Sequence, residues 1–127
     1  MGNGTMDLGR RGERLACGYL AEQGHTVIET NWRSSHREID IISVDACGLH
    51  FVEVKSRIRS GIDPLVNVTG AKMKNLAEAA KAYLNRREAK NLPADLDVHF
   101  DIVTLAFEGE KVDIQFYPDA FFPIYTH

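Results

Sequence analysis

The sequence predicts an α/β fold: a central mixed β-sheet flanked by helices, in the order α-β-β-β-α-β-β, within one domain spanning residues 1–127. Three observations carry that prediction. Two stretches repeat their apolar residues at helical spacing, and five short runs rich in β-branched and aromatic residues stand between and after them. The helical stretches interleave with the strand runs, which favours one sheet covered by helices over separate all-α and all-β parts. At 127 residues, 44% hydrophobic and 26% charged, the chain has the length and composition of a globular domain with a real core.

Residues 1–5 read as a loose tail. From Met6 to Gln23 a helix stacks Leu8, Leu15, Ala16, Tyr19 and Leu20 on one face, and Gly24 supplies its stop. Glu13 falls at the edge of that face, where it can reach a neighbouring layer. His25 to Thr30 reads as the first strand, followed by Asn31-Trp-Arg33 and a short polar link. Two strands, about 38–44 and 49–55, flank the turn Asp45-Ala-Cys-Gly48 and predict an antiparallel hairpin. Residues 56–68 form a basic loop containing Gly and Pro. A second helix, about Thr69 to Ala89, stacks Met73, Leu76, Ala77, Ala80, Tyr83 and Leu84, with Lys72 at the border of the apolar face and Leu92-Pro93 beyond its end. Asp97 to Phe107 is a long strand, turned by Glu108-Gly109-Glu110 into Lys111 to Tyr117. The aromatic tail 119–123 is expected to pack down.

The hairpin carries the chemistry. Carboxylates are poor strand residues and costly to bury, yet Glu38-Ile-Asp-Ile-Ile42 and Phe51-Val-Glu-Val-Lys55 hold them inside apolar runs. If Val44 pairs with Leu49, the register sets Asp40 opposite Glu53 and Glu38 opposite Lys55, all on one face. Two facing carboxylates repel unless a cation bridges them. Oxygen donors without adjacent Cys or His select a hard ion, Mg²⁺ or Mn²⁺. Lys55, two residues after Glu53, lies on the same face, where an ammonium can orient water or steady charge on a phosphate oxygen. The bland alternative is a surface ladder of cross-strand ion pairs. It is disfavoured by the flanking Ile39, Ile41, Ile42, Phe51, Val52 and Val54.

Charge is uneven along the chain. The first 90 residues carry 14 Lys and Arg against 11 Asp and Glu, and the remaining residues carry one Lys against seven acids, for a net charge of −3. Basic residues gather around the hairpin: Arg10, Arg11, Arg14, Arg33, Arg37, Arg57, Arg59, Lys72 and Lys74. Such a rim can contact phosphates while a remote acidic side limits non-specific sticking. No apolar stretch approaches a membrane span, no secretory leader pattern is present, and Cys17 and Cys47 match no metal or redox spacing, so a reducing cytoplasm is the expected location. The five histidines are scattered and are not expected to bind metal. Trp32 reads as packing, and Asp101 as a structural carboxylate in an apolar strand.

Asp40 with Glu53-Val-Lys55, preceded by a helix bearing Glu13, resembles the PD-(D/E)xK nuclease superfamily. More closely, the chain resembles the YraN family of small bacterial proteins, predicted endonucleases similar in fold to Holliday-junction resolvases. The matching stretches are Gly9-Arg-Arg-Gly-Glu13, Asn31-Trp-Arg33, Glu38-Ile-Asp-Ile-Ile42, Phe51-Val-Glu-Val-Lys55 with Arg57, Lys72 with Leu76 and Ala79-Ala80…Tyr83-Leu84, Phe100-Asp101, and Ala120-Phe121. Two positions depart from the family pattern: Arg37 stands where the family usually has glycine, and His99 where it tends to have Arg.

The resemblance implies a restriction-endonuclease-like fold and a metal-dependent endonuclease acting on DNA, branched or damaged DNA included. Asp40 and Glu53 would hold Mg²⁺ or Mn²⁺, Lys55 would position the attacking water, and Glu13 and Glu38 would assist. Arg33, Arg37, Arg57, Arg59 and Lys72 would contact nucleic acid. DNA is the expected partner, RNA stays open, and a two-fold dimer suits a duplex or junction with two backbones. The runner-up is a non-catalytic module that binds nucleic acid or a partner protein on the same fold. A purely structural adaptor leaves the facing carboxylates without a reason.

Overall fold

A computed structural model describes residues 4–59, 70–86, 91–93 and 95–120, with the side chains of residues 4–7, 70 and 71 left aside. The elements are α1 (Gly4–Glu22), β1 (Thr26–Ser34), β2 (Arg37–Asp45), β3 (Gly48–Ile58), α2 (Gly70–Leu84), β4 (Val98–Glu108) and β5 (Lys111–Tyr117), in the expected order α-β-β-β-α-β-β. The five strands form one sheet in sequence order. β3 and β4 run parallel and the other neighbours antiparallel, so the sheet is mixed and the fold is α/β. Only the parallel pair needs a crossover, and α2 lies within it.

Each helix covers its own cluster of apolar side chains. Ala16 and Leu20 of α1 pack on Ile41, Val52, Val103, Leu105 and Phe107. Leu76, Ala79, Ala80 and Tyr83 of α2 pack on Trp32, Ile39, Ile42, Leu49, Phe51 and Phe100. β4 is buried along most of its length because it serves both clusters, whereas the edge strand β5 alternates exposed and half-buried residues. Trp32 is buried and meets Tyr83 edge-on, the packing role expected of it.

The helix and strand ends correct several expected boundaries. α1 begins at Gly4, so residues 4 and 5 are helical and not tail. Its C-terminus closes as a Schellman motif: the Gly24 amide bonds Ala21 O and the His25 amide bonds Leu20 O, with Gly24 at φ +96°. β1 continues through Asn31-Trp-Arg33 to Ser34, because residues 32–34 keep pairing with 37–39. The β2–β3 connection is tighter than a four-residue loop. Asp45 pairs with Gly48, and Asp45 Oδ1 accepts the amides of Cys47 and Gly48. β3 runs on to Ile58, taking the start of the expected basic loop into the sheet; residues 60–69 lie outside the described residues. α2 ends at Leu84, one residue past Tyr83, its last buried apolar side chain; Leu84, expected on the apolar face, is exposed instead, and the amides of Asn85 and Arg86 turn back to Lys81 O and Tyr83 O. The rest of that predicted helix and the aromatic tail beyond Ala120 lie largely outside the described residues. Among the described residues no helix is long and apolar enough to cross a membrane.

Candidate functional site

The register expected for the hairpin is present from Asp45↔Gly48 to Ile41↔Val52, and there the ladder stops. Asp40 is therefore not paired with Glu53, nor Glu38 with Lys55. Where the ladder stops, the Asp40 side chain takes over: its Oδ2 accepts the Val54 amide at 2.8 Å, a bond that a backbone carbonyl of β2 would make in a continued ladder. β1 has an unusual backbone at the same level. The β1–β2 ladder passes from Thr30↔Ile41 to Trp32↔Ile39 around Asn31, which sits at φ +50°. Alternation breaks at the same level: Ile39 packs in the α2 cluster and Ile41 in the α1 cluster, although two residues apart on a strand normally share a face.

The single acidic face expected from the sequence thus becomes two adjoining clefts that share Asp40 and Val54. One, of about 290 Å³, is lined by His36, Arg37, Glu38, Glu53 and the start of α2 with Lys72, Asn75 and Leu76. The other, of about 230 Å³, is lined by Leu8, Gly9 and Glu13 of α1 with Lys55 and Ser56. The α2 side and the α1 side of the sheet are thus each open to Asp40 at this end of the hairpin. Close approach of α1 depends on Gly12: a Cβ there would fall 1.8 Å from Ser56 Oγ. That contact seats the next residue, Glu13, beside the sheet, and Asn31 Nδ2 donates to Glu13 Oε1 at 2.7 Å.

Electrostatics single out Asp40. Burial, then the charge of Glu53, with smaller contributions from Glu13 and Glu38, push its carboxyl up to about 7 against the opposing Val54 hydrogen bond. Glu53 is buried, and Lys72 Nζ lies 2.8 Å from its Oε2. That contact holds the Lys72 ammonium above its usual range, while burial and the neighbouring Lys72 charge lower Lys55. Two lysines and four carboxylates therefore share one end of the hairpin. Asp40, Glu53 and Glu13 do not form a tight donor triple, however. Among the described residues the one group of three with ligand atoms within 4.8 Å of one another is His25, Asp45 and His50, elsewhere in the molecule.

The predicted basic residues divide. Lys72 enters the acidic cluster itself, and Arg37 lines the larger cleft, 3.9 Å from Glu78 of α2. Arg33 is exposed and engages Glu38 across β1–β2 at 3.6 Å. Arg59 reaches Asp113 of β5 at 3.2 Å, away from both clefts. Arg57 lies on β3 beside Ala106 and lines neither cleft. Reasoning from the sequence missed Asn31 as the residue holding Glu13. Its signal was an Asn directly after an apparent strand, a residue type that tolerates positive φ. The histidines were also misjudged as scattered, since the sheet brings His25, His50 and His99 together.

The family described as "Uncharacterised protein family UPF0102" matches residues 12–105, a span that contains Glu13, Asn31, Glu38, Asp40, Glu53, Lys55 and Lys72. A UPF0102 protein of Chlorobium chlorochromatii is 41% identical over 102 residues, 80% of this chain and 75% of its own. One of Flavobacterium johnsoniae is 37% identical, covering 91% of this chain and 94% of its own, and one of Geobacter metallireducens is 35% identical, covering 90% and 91%.

Proposed function

The chain belongs to the UPF0102 family, and from that premise we propose that it is a metal-dependent endonuclease hydrolysing phosphodiester bonds of DNA on a restriction-endonuclease-like fold. The observation that carries this reading is Asp40: a half-buried carboxylate pushed up to about 7 by burial and then by the charges of Glu53, Glu13 and Glu38, with Lys55 beside it. Such a group is poised to exchange its proton for a cation. The donor set, carboxylate oxygens on an open cleft, fits a hard ion, and Asp40 and Glu53 would hold it. Mg²⁺ or Mn²⁺ bound there supplies Lewis-acid charge next to the scissile phosphate.

The remaining work belongs to the chain's own groups. Lys55, its ammonium destabilised by burial and by Lys72, orients the attacking water and donates to a non-bridging oxygen. Lys72 fixes the Glu53 carboxylate, and an incoming phosphate competes for that ammonium. Asn31 keeps Glu13 aimed at the Asp40 side of the site, and Glu38 adds negative charge from the rim. Arg37 lies where it can take a backbone phosphate at the cleft mouth, while Arg33 and Arg59 must first leave Glu38 and Asp113. Branched or damaged DNA is the substrate class proposed, met by a two-fold dimer in the cytoplasm.

A second reading, a non-catalytic binding module, has one observation in its favour. The Lys72–Glu53 contact already neutralises one of the two principal carboxylates without an ion. Incubating the protein with a panel of labelled duplex, branched and single-stranded DNA and RNA, in Mn²⁺ and in EDTA, separates the two. Cleavage in Mn²⁺ alone supports the nuclease, and retention of a panel member without cleavage supports the module. Neither cutting nor binding at low salt defeats both.

A further inference from the structure

Roughly 16 Å along β2 from Asp40, at the turn end of the hairpin, a second polar cluster stands outside the site just described. His25, directly after the cap of α1, and His50 of β3 are buried, and their rings lie 4.4 Å apart. Both rings are held from behind. His25 Nδ1 bonds Ser43 Oγ at 2.8 Å, and His50 Nδ1 bonds Asp101 Oδ2 at 2.6 Å. Ser43 and Asp101 are themselves fully buried. With each Nδ1 engaged, the two Nε2 atoms turn toward one carboxylate: His50 Nε2 lies 2.7 Å from Asp45 Oδ1 and His25 Nε2 lies 3.4 Å from Asp45 Oδ2. Oδ1 already accepts the Cys47 and Gly48 amides, which pin the carboxylate in place.

We propose that His25, His50 and Asp45 form a binding site for a divalent transition cation of the zinc class, separate from the Asp40 site. Two imidazoles and a carboxylate select a borderline ion over Mg²⁺ or Ca²⁺, and the partly open side of Asp45 leaves a position for water. Zn–N and Zn–O bonds of about 2.0–2.1 Å in a tetrahedron set neighbouring ligand atoms about 3.3 Å apart. The 3.4 Å between His25 and Asp45 already has that spacing, and all three ligand atoms lie within 4.8 Å of one another. The Asp101–His50 pair is the carboxylate behind a ligating histidine that fixes tautomer and ring direction, and Ser43 does the same for His25. The ion would take the place of the proton now shared between His50 Nε2 and Asp45. It would clip the end of α1, the β2–β3 turn and, through Asp101, β4.

Equilibrium dialysis of the whole chain with Zn²⁺, with Co²⁺ absorption as a spectroscopic arm, tests this. One equivalent of Zn²⁺ should bind in the presence of millimolar Mg²⁺, and Co²⁺ should show the intense visible bands of a four-coordinate nitrogen–oxygen site. His25→Ala and Asp45→Asn should weaken Zn²⁺ at least tenfold, and Ser43→Ala by roughly tenfold as a positioning change. Asp40→Asn with Glu53→Gln should leave Zn²⁺ binding unchanged, which keeps this test apart from the nuclease reading. Should His25→Ala fail to fold, wild-type histidine NMR replaces it, with the His25 and His50 ring signals expected to shift on adding one equivalent of Zn²⁺. No stoichiometric Zn²⁺ on the wild type, equal affinity in His25→Ala, unmoved ring signals, or loss of Zn²⁺ in the Asp40/Glu53 double variant would each overturn the proposal.

Discussion

At the level of single residues the site turns on the charge of Asp40. Its carboxyl stands at about 7 in the folded chain against 3.8 ordinarily, so the folded state binds the extra proton between those values. Stability from this group is therefore full below pH 3.8 and is lost as pH rises through 7, an upper bound of about 4 kcal/mol at ~1.4 kcal/mol per unit. Asp40→Asn should accordingly raise the melting temperature at pH 8 and leave it unchanged at pH 4, measured without metal. A variant less stable at pH 8 would contradict the assignment. Lys55→Ala should remove cleavage in Mn²⁺ while keeping metal binding, because the lysine acts on water and phosphate. Asp40, Glu53 and Lys55 were legible as residues because acids inside apolar strand runs are conspicuous. Asn31, Ser43 and the histidines were not, since their meaning comes from partners such as Glu13 and Asp101, 18 and 51 positions away.

Among elements, the hairpin register was readable from the turn and the alternation, and it is present between residues 41–45 and 48–52. The break beyond Ile41 was not, because nothing in a period-2 pattern announces that a side chain will replace a ladder carbonyl. Asn31 tests that break. Asn31→Gly keeps the backbone at φ +50° and should lose mainly the Glu13 contact, whereas Asn31→Ala loses the contact and adds roughly 1 kcal/mol of left-handed strain. Denaturant melts of the two variants should therefore rank Ala below Gly. Gly12→Ala drives a methyl into Ser56 and should cost about 1–3 kcal/mol of overpacking while displacing Glu13. Equal stability to wild type would show that α1 does not need this approach.

For the molecule as a whole, element order and the two helix-covered clusters followed from apolar spacing, while the sorting of the basic residues did not. Sequence places Arg33, Arg37, Arg57, Arg59 and Lys72 near one another, yet the sheet gives Arg59 to Asp113 on β5 and Lys72 to Glu53. Arg37→Ala should consequently lower the slope of DNA affinity against salt by roughly one counterion, and Arg59→Ala by less, in titrations across ionic strength. The central claim is that Asp40 and Glu53 hold a hard cation at the opened end of the hairpin. Calorimetric titration of Mn²⁺ at pH 8 into His25→Ala, which removes the second cluster, alone and combined with Asp40→Asn, Glu53→Gln or Lys55→Ala, addresses it directly. The site described here predicts Mn²⁺ heat in the first and last of the four and none in the two carboxylate variants; unchanged Mn²⁺ binding after both carboxylate substitutions would contradict it.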